Sequence, residues 1–308
     1  MVRRLILLTI LGLTARAQPI ATERNPPPES LPFFSRVRGL FDFELPELDP
    51  PGTIKVIFHP HLSDLIRRDY LRTDMGLRWA LNGNFEFSAE AATYLTHGLG
   101  DTNVGDGIGE IRLGTKYLFK QWLRPQHEAS IAFNFSHPHG APPVDMTDGQ
   151  NHYQPSLTIQ RHSRHNPKLT TFASVGLDII TASSALGRFG RNEPHDDSAS
   201  VTGGAVYDLG QIKWTLSATY ATTTLIGGRT DSFFYLQPSF LWYVPKPYTF
   251  HSKTQWIVGL GLRSAWGPDG YDFGTNTRVR AEITFRQVLA NVRDSVMARR
   301  APSAQPSP

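Results

Sequence analysis

From residue 52 to about residue 288, the sequence repeats short segments in which apolar and polar side chains alternate. In the segment 110–120, the odd positions are mostly apolar; the residues at odd positions are Ile111, Leu113, Thr115, Tyr117 and Phe119. Segments 84–96 and 278–286 alternate in the same way. Successive side chains of a β-strand point to opposite faces, so each segment predicts a strand with one apolar and one polar face. The pattern predicts an all-β protein.

The spacing of these segments predicts a single antiparallel up-and-down transmembrane β-barrel of about twelve strands. An even number of strands, with short turns at one end and longer loops at the other, is typical of bacterial outer-membrane barrels. Asn82-Gly83 is a tight-hairpin signal. The longer connections are predicted at 98–107, 139–150, 181–197 and 267–273. The predicted strands are 52–60, 67–81, 84–97, 108–120, 127–137, 151–163, 168–182, 198–208, 211–224, 231–244, 253–266 and 274–287.

Tryptophans cluster at the predicted short-turn end. We expect them to form an aromatic girdle at the membrane–water boundary, although aromatic residues also favour strands in general. The girdle residues are Trp79, Trp122, Trp214, Trp242 and Trp256. Candidates for a second girdle at the long-loop end are Tyr70, Phe135, Tyr153, Tyr220 and Phe234.

The N-terminus has the features of a secretory signal peptide over residues 1–17. A basic start precedes an apolar run that is too short to span a bilayer, and Ala15-Arg16-Ala17 supplies a cleavage site. Residues 18–51 are rich in proline and are expected to be a periplasmic linker or a plug of the lumen. We assign 52–288 to the barrel and 289–308 to a C-terminal tail. No later apolar stretch is long enough for a spanning helix.

Composition narrows the location and the partners. The chain has no cysteine, which excludes disulfides and lipid anchoring through cysteine. Its formal charge is +4, and Arg3, Arg4 and Arg16 of the signal account for most of it (+4 − 3 = +1). A near-neutral mature chain gives no support for a nucleic-acid partner. We expect the outer membrane of a Gram-negative bacterium, with lipid, the secretion and barrel-assembly machinery and a small-molecule solute as partners.

One motif resembles a known family. Gly98-Leu99-Gly100-Asp101, followed by an Ile111–Phe119 strand that contains Gly114, Lys116, Tyr117 and Phe119, resembles outer-membrane channels associated with the meta-pathway of phenol degradation. This chain departs from that family by an insertion at 104–107. The resemblance implies a barrel of similar size with a cleaved signal, and its name implies transport of hydrophobic or aromatic solutes. It assigns no substrate-binding residue.

The polar face is predicted to line the lumen with charges. One interpretation is that opposite charges pair across strands and solvate the interior; the other is a charged constriction that selects solutes. A barrel of this size predicts a narrow or plugged pore. The predicted lumen-lining charges are Asp74, Arg78, Glu86, Glu90, Glu110, Arg112, Lys116, Arg278, Arg280, Glu282 and Arg286.

Histidines and serines are the candidate metal ligands and catalytic groups of this sequence. The His-Pro-His pairs at 59–61 and 137–139 have donors for a divalent metal, but proline at a strand end more often terminates pairing, so we predict neither metal nor cofactor. His162 and Ser163 are adjacent, and strand alternation points them apart. No G-x-S-x-G motif is present, so no catalytic residue is predicted and the protein is not expected to be an enzyme.

Three functional hypotheses follow. The first is a porin-like channel for passive uptake of small solutes, hydrophobic or aromatic ones by the resemblance. The second is a non-transporting structural or surface-binding barrel. The third, the least favoured, is a lipid-acting barrel enzyme.

Overall fold

The computed structural model describes most of the predicted barrel. The predicted signal peptide, residues 18–44 and residues 290–308 lie outside the described residues, as do the side chains at 66, 67 and 276–278. Among the residues covered, no helix is both long and apolar enough to cross a lipid bilayer. The described residues are 45–62, 64–99, 105–140, 143, 147, 149–183, 197–223, 231–249, 254–267 and 270–289.

Twelve antiparallel strands of the described chain form one closed barrel, which confirms the predicted fold class. Each strand pairs with its neighbours in sequence, and β1 closes the ring by pairing with β12. The strands are β1 (Ile54–Pro60), β2 (Tyr70–Ala80), β3 (Phe85–Thr96), β4 (Gly107–Phe119), β5 (His127–Pro138), β6 (Gln150–His162), β7 (Leu169–Ala182), β8 (Ser198–Asp208), β9 (Ile212–Thr222), β10 (Ser232–Tyr243), β11 (Gln255–Gly267) and β12 (Gly270–Thr284). A short helix, α1 (Asp64–Arg67), lies between β1 and β2.

The register separates an apolar outer face from a polar inner face. Arg112 lies opposite Glu90 and Ser136, whereas the next residue, Leu113, lies opposite Ala89 and Phe135. Large apolar side chains remain half exposed on the outer face, as Leu113 (50%), Ile131 (51%) and Val201 (55%) show. Such a continuous apolar surface would be unstable in water, and it suits lipid.

A bulge changes this alternation in β4. The register shifts between Ala92, which pairs with Glu110, and Thr93, which pairs with Ile108, so Gly109 has no partner in β3. One extra residue reverses the faces that follow it. Ile108 is therefore exposed on the outer face, although it lies at an even position.

Two predicted features need correction at the ends of the last strands. The predicted loop 267–273 is wrong in extent, because Gly267 pairs with Gly270 and residues 270–273 already belong to β12. The last strand ends at Thr284 rather than near residue 287. Thr284 and Gln287 hydrogen-bond to each other as in a capping box, which starts a helical turn at 285–289.

The outward face of β7 provides a test of the register. Val175, at mid-strand, points outward and is 47% exposed, while its neighbour Ser174 points inward and shares a hydrogen bond with Thr158 (2.9 Å). We expect Val175→Lys to lower the free energy of unfolding from lipid by about 2–4 kcal/mol, because a charge at the bilayer midplane loses its hydration. Ser174→Lys, whose ammonium would lie in the bore, should cost clearly less. Equal losses in reversible denaturant titrations from vesicles would contradict this assignment of faces.

Candidate functional site: the barrel lumen

Arg112 is the centre of a cluster of charges on the inner face of β2, β3 and β4. Its guanidinium donates hydrogen bonds to Glu90 and to Glu110, with Nε 2.8 Å from Glu110 Oε1. Arg112 Nη1 also lies 3.9 Å from Asp74 Oδ1. The register explains this arrangement. Arg112 is directly opposite Glu90. Glu110 is directly opposite Ala92, which in turn pairs with Asp74. One cation thus interacts with three carboxylates.

A second cluster lies nearer the short-turn end of the same strands. Glu86 is almost fully buried, and its Oε1 is 3.4 Å from Arg78 Nε and 3.5 Å from Lys116 Nζ. Glu282 on β12 continues the pattern, because its carboxylate is 2.8 Å from Arg280 Nε and 3.2 Å from Lys55 Nζ. We call the inner face of β1 to β4 and β12 the charged wall.

A third cluster closes the long-loop end of the charged wall. Asp64 of α1 accepts two hydrogen bonds from the Arg72 side chain (2.7 and 3.0 Å) and lies 3.2 Å from Arg68 Nε. Burial alone would raise the pKa of Asp64, but the hydrogen bonds and charge of Arg72, together with the charge of Arg68, outweigh it and hold that pKa below its ordinary value. α1 is thereby fixed to the inside of β2.

The opposite side of the bore is mostly uncharged. Hydroxyl groups of neighbouring strands bond to each other there, as in Thr158–Ser174 (2.9 Å) and Thr202–Thr219 (2.8 Å). Toward the long-loop end, His152 Nδ1 lies 3.0 Å from Asp178 Oδ1. We call the inner face of β5 to β10 the hydroxyl wall; its mid-strand residues are Asn134, Gln154, Ser156, Thr158, Ser174, Ser200, Thr202, Ser217, Thr219, Gln237 and Ser239.

Residues 45–50 lie across the short-turn mouth, and we call them the strut. Asp49 forms an ion pair with Lys55 of β1 (2.6 Å), while the carbonyl of buried Pro46 accepts a hydrogen bond from Gln160 of β6 (3.4 Å). Glu47 interacts electrostatically with Lys213 of β9. β1, β6 and β9 are well separated around the ring, so the strut reaches from one wall to the other.

The structure places most of the predicted lumen charges on the inner face. The side chain of Arg278 lies outside the described residues. Arg286 is wrong as a lumen residue, because the helical turn after Thr284 leaves it exposed beyond the barrel. Those that take part in the clusters above are Asp74, Arg78, Glu86, Glu90, Glu110, Arg112, Lys116, Arg280 and Glu282.

The predicted girdle residues lie at the short-turn end, at or next to the strand termini. Trp79, Trp122 and Trp214 are exposed, and Trp242 and Trp256 are partly exposed. Contact of all five with a membrane boundary stays a prediction. At the other end, Tyr70 is wrong as a girdle residue, because it lies on the inward face of β2, is 4% exposed and packs edge-to-face on Tyr94.

Sequence reasoning missed several inner contacts. Arg72 has the same parity as Asp74, so the alternation of β2 was a sufficient signal for it. Asp64 lies in a connection, where no periodicity predicts direction. The two His-Pro-His pairs behave differently: His59 and His61 turn toward Asp74, whereas His137 lies at an outward position of β5 and bonds Asn151 (2.7 Å).

Comparisons with solved structures find outer-membrane barrels. The COG4313 outer membrane channel from Pseudomonas putida F1 is similar over 78% of this chain and 97% of its own, with 11% identity and a TM-score of 0.50. A KdgM porin covers 76% and 99% (12% identity, TM-score 0.43), and the CymD monoaromatic hydrocarbon channel covers 70% and 73% (12% identity, TM-score 0.40). No family model and no curated protein matches the chain.

The Arg112 cluster provides a second test. Arg112→Met leaves the carboxylates of Asp74, Glu90 and Glu110 close together without their shared cation, so we expect a loss of about 3 kcal/mol or more in unfolding free energy at neutral pH. The control is Arg263→Met. Arg263 Nη2 lies 2.9 Å from the carboxylate of Asp272, which is largely exposed, so this variant should lose about 1 kcal/mol or less in unfolding free energy. Equal losses in the two variants would argue against the cluster.

This chain, a closed barrel that is apolar outside and polar inside, is therefore similar in fold to the Pseudomonas putida outer membrane channel, though not closely in sequence.

Proposed function

We propose that this protein is an outer-membrane channel for passive passage of small polar solutes. The observation that carries the proposal is the lining of the bore, in which a charged wall faces a hydroxyl wall inside an apolar outer surface. A polar interior behind a lipid-facing exterior is the arrangement of aqueous channels. The same outer surface supports insertion in the outer membrane of a Gram-negative bacterium, with the short turns in the periplasm.

The lining also favours a class of solute. Hydroxyl and amide groups of the hydroxyl wall can replace lost hydration on a polar solute, while the charges opposite are largely paired with each other. Hydrophobic or aromatic solutes, which the sequence resemblance implies, are the alternative. Inward aromatic residues such as Tyr94, Phe172 and Tyr235 favour that alternative locally.

The second candidate is a non-transporting barrel that serves a structural or surface-binding role. The strut favours it, because Pro46 and Asp49 contact opposite sides of the mouth and Pro46 is fully buried. Paired charges on the charged wall would then stabilise a closed interior. A lipid-acting enzyme receives no comparable support, since His162 bonds Thr170 (3.1 Å) and Ser163 accepts from the backbone of Asn166 (3.2 Å).

Planar-bilayer recordings of the purified protein test the channel proposal. We expect discrete conductance, and liposome-swelling rates that are higher for small sugars than for apolar aromatic solutes of similar size. Arg280→Gln should shift the ion preference toward cations, because it removes a fixed positive charge from a narrow bore and leaves Glu282. Faster entry of the aromatic solutes would instead support the class implied by the resemblance.

Deletion of residues 45–50 separates the two candidates. If the strut only narrows an open bore, the parent should conduct and the deletion variant should conduct more. If the strut is a plug, only the deletion variant should conduct. The control is deletion of residues 290–308, which follow β12 and its helical turn in the sequence; this deletion should leave conductance unchanged. Absence of conductance in parent and deletion variant alike, with a heat-modifiable gel shift to show folding, would reject the channel.

A further inference from the structure

His59, Asp74 and His61 converge on the charged wall near the long-loop end. His59 lies directly opposite Asp74 in the β1–β2 pairing, with Nδ1 3.6 Å from Asp74 Oδ2. His61 follows two residues later on the same face, and its Nε2 is 2.8 Å from the same oxygen. The two imidazole rings are 4.5 Å apart between centroids. One ligand atom from each of the three residues lies within 4.8 Å of the other two.

The surroundings fix the orientation of Asp74. Its Oδ1 points toward Arg112 (3.9 Å), which leaves Oδ2 directed at the two imidazoles. Asp74 is 7% exposed, so its carboxylate has little freedom to turn. The backbone N–H of His61 donates to the carbonyl of Arg72 (2.9 Å) and anchors the chain just beyond β1. Partners that hold a ligand in place in this way are characteristic of metal sites.

We propose that His59, His61 and Asp74 bind a divalent transition-metal ion of the Zn²⁺ class on the wall of the bore. Two imidazoles and a carboxylate are ligands that Zn²⁺ accepts at about 2.0–2.2 Å, which places neighbouring donors about 3.3 Å apart in a tetrahedron. The two distances to Asp74 Oδ2, 3.6 and 2.8 Å, bracket that value, and the two imidazole donors lie within 4.8 Å of each other, so metal binding would draw the two rings around the ion. Three protein ligands leave a fourth position for water or an anionic solute.

The local charge favours a cation. Asp74, Glu90 and Glu110 supply three carboxylates to the cluster around the guanidinium of Arg112. The next guanidinium, Arg72, is held by Asp64 through two hydrogen bonds, and its charge also acts on Asp74. A divalent ion bound by Asp74 would add positive charge to this carboxylate-rich part of the wall. The rival interpretation is a His–Asp–His group with no ion, in which His61 is hydrogen-bonded to Asp74.

Isothermal titration of the folded, detergent-solubilised parent with Zn²⁺ tests the site. We expect one ion per chain. His59→Gln combined with His61→Gln should weaken binding by more than the roughly 10–100-fold that changes to supporting partners cost. The matched control is His137→Gln with His139→Gln, which alters the same His-Pro-His motif on β5, where His137 points outward and bonds Asn151. This pair should leave binding unchanged.

Absence of Zn²⁺ binding to the parent, or an equal loss in both double variants, would overturn the site and leave the hydrogen-bonded group as the correct interpretation. If the 59/61 variant fails to fold, histidine footprinting on the folded parent decides the question: Zn²⁺ should protect His59 and His61 from diethyl pyrocarbonate and leave His137 reactive. Unprotected His59 and His61 would contradict the proposal. These readouts measure binding only, so they are independent of whether the barrel conducts.

Discussion

Closure of the sheet is the constraint on which the rest of this structure depends. A strand edge in lipid would leave backbone N–H and C=O groups without partners, at a cost of several kcal/mol each, and pairing β1 with β12 removes both edges. The seam is short, running from Lys55 opposite Thr284 to Phe58 opposite Ala281. The ion pair between Lys55 and Glu282 adds a contact across it on the inner side. Because the ring is closed, every side chain must face either lipid or lumen.

That choice explains why the charges of β2, β3 and β4 meet. Parity sends Asp74, Glu90 and Arg112 to the same side. Hairpin register places Glu90 directly opposite Arg112 and brings Asp74 level with Glu110, two residues away. Charged residues directly opposite each other on neighbouring strands can then pair, since their Cβ atoms lie within about 5.5 Å. The hydroxyl wall follows from the same rule with different residues. The two walls therefore differ in composition and not in architecture.

Local periodicity was sufficient to predict the strands, because the alternation of apolar and polar residues is visible within each segment and does not depend on the partner strand. It failed where a specific contact overrides it. The Thr284–Gln287 capping contact ends β12 early and removes Arg286 from the bore, and the bulge at Gly109 turns Ile108 outward. The site at His59, His61 and Asp74 was not predictable from either strand alone, because it depends on the β1–β2 register. Asp64 has no periodic signal at all, since it acts from a helix between strands.

The strut links the short-turn mouth to the electrostatics of the bore. Its acids interact with cations of the barrel, Asp49 with Lys55 and Glu47 with Lys213, so a segment outside the sheet acts on these two cations together with Glu282 and Asp208 of the sheet. Deeper inside, carboxylates and guanidinium groups interact with each other within the sheet itself. The field at the mouth therefore depends on the position of residues 45–50, whereas the field of the charged wall is fixed by register. Movement of one short segment would change both the width and the charge of the entrance without disturbing a single strand pair.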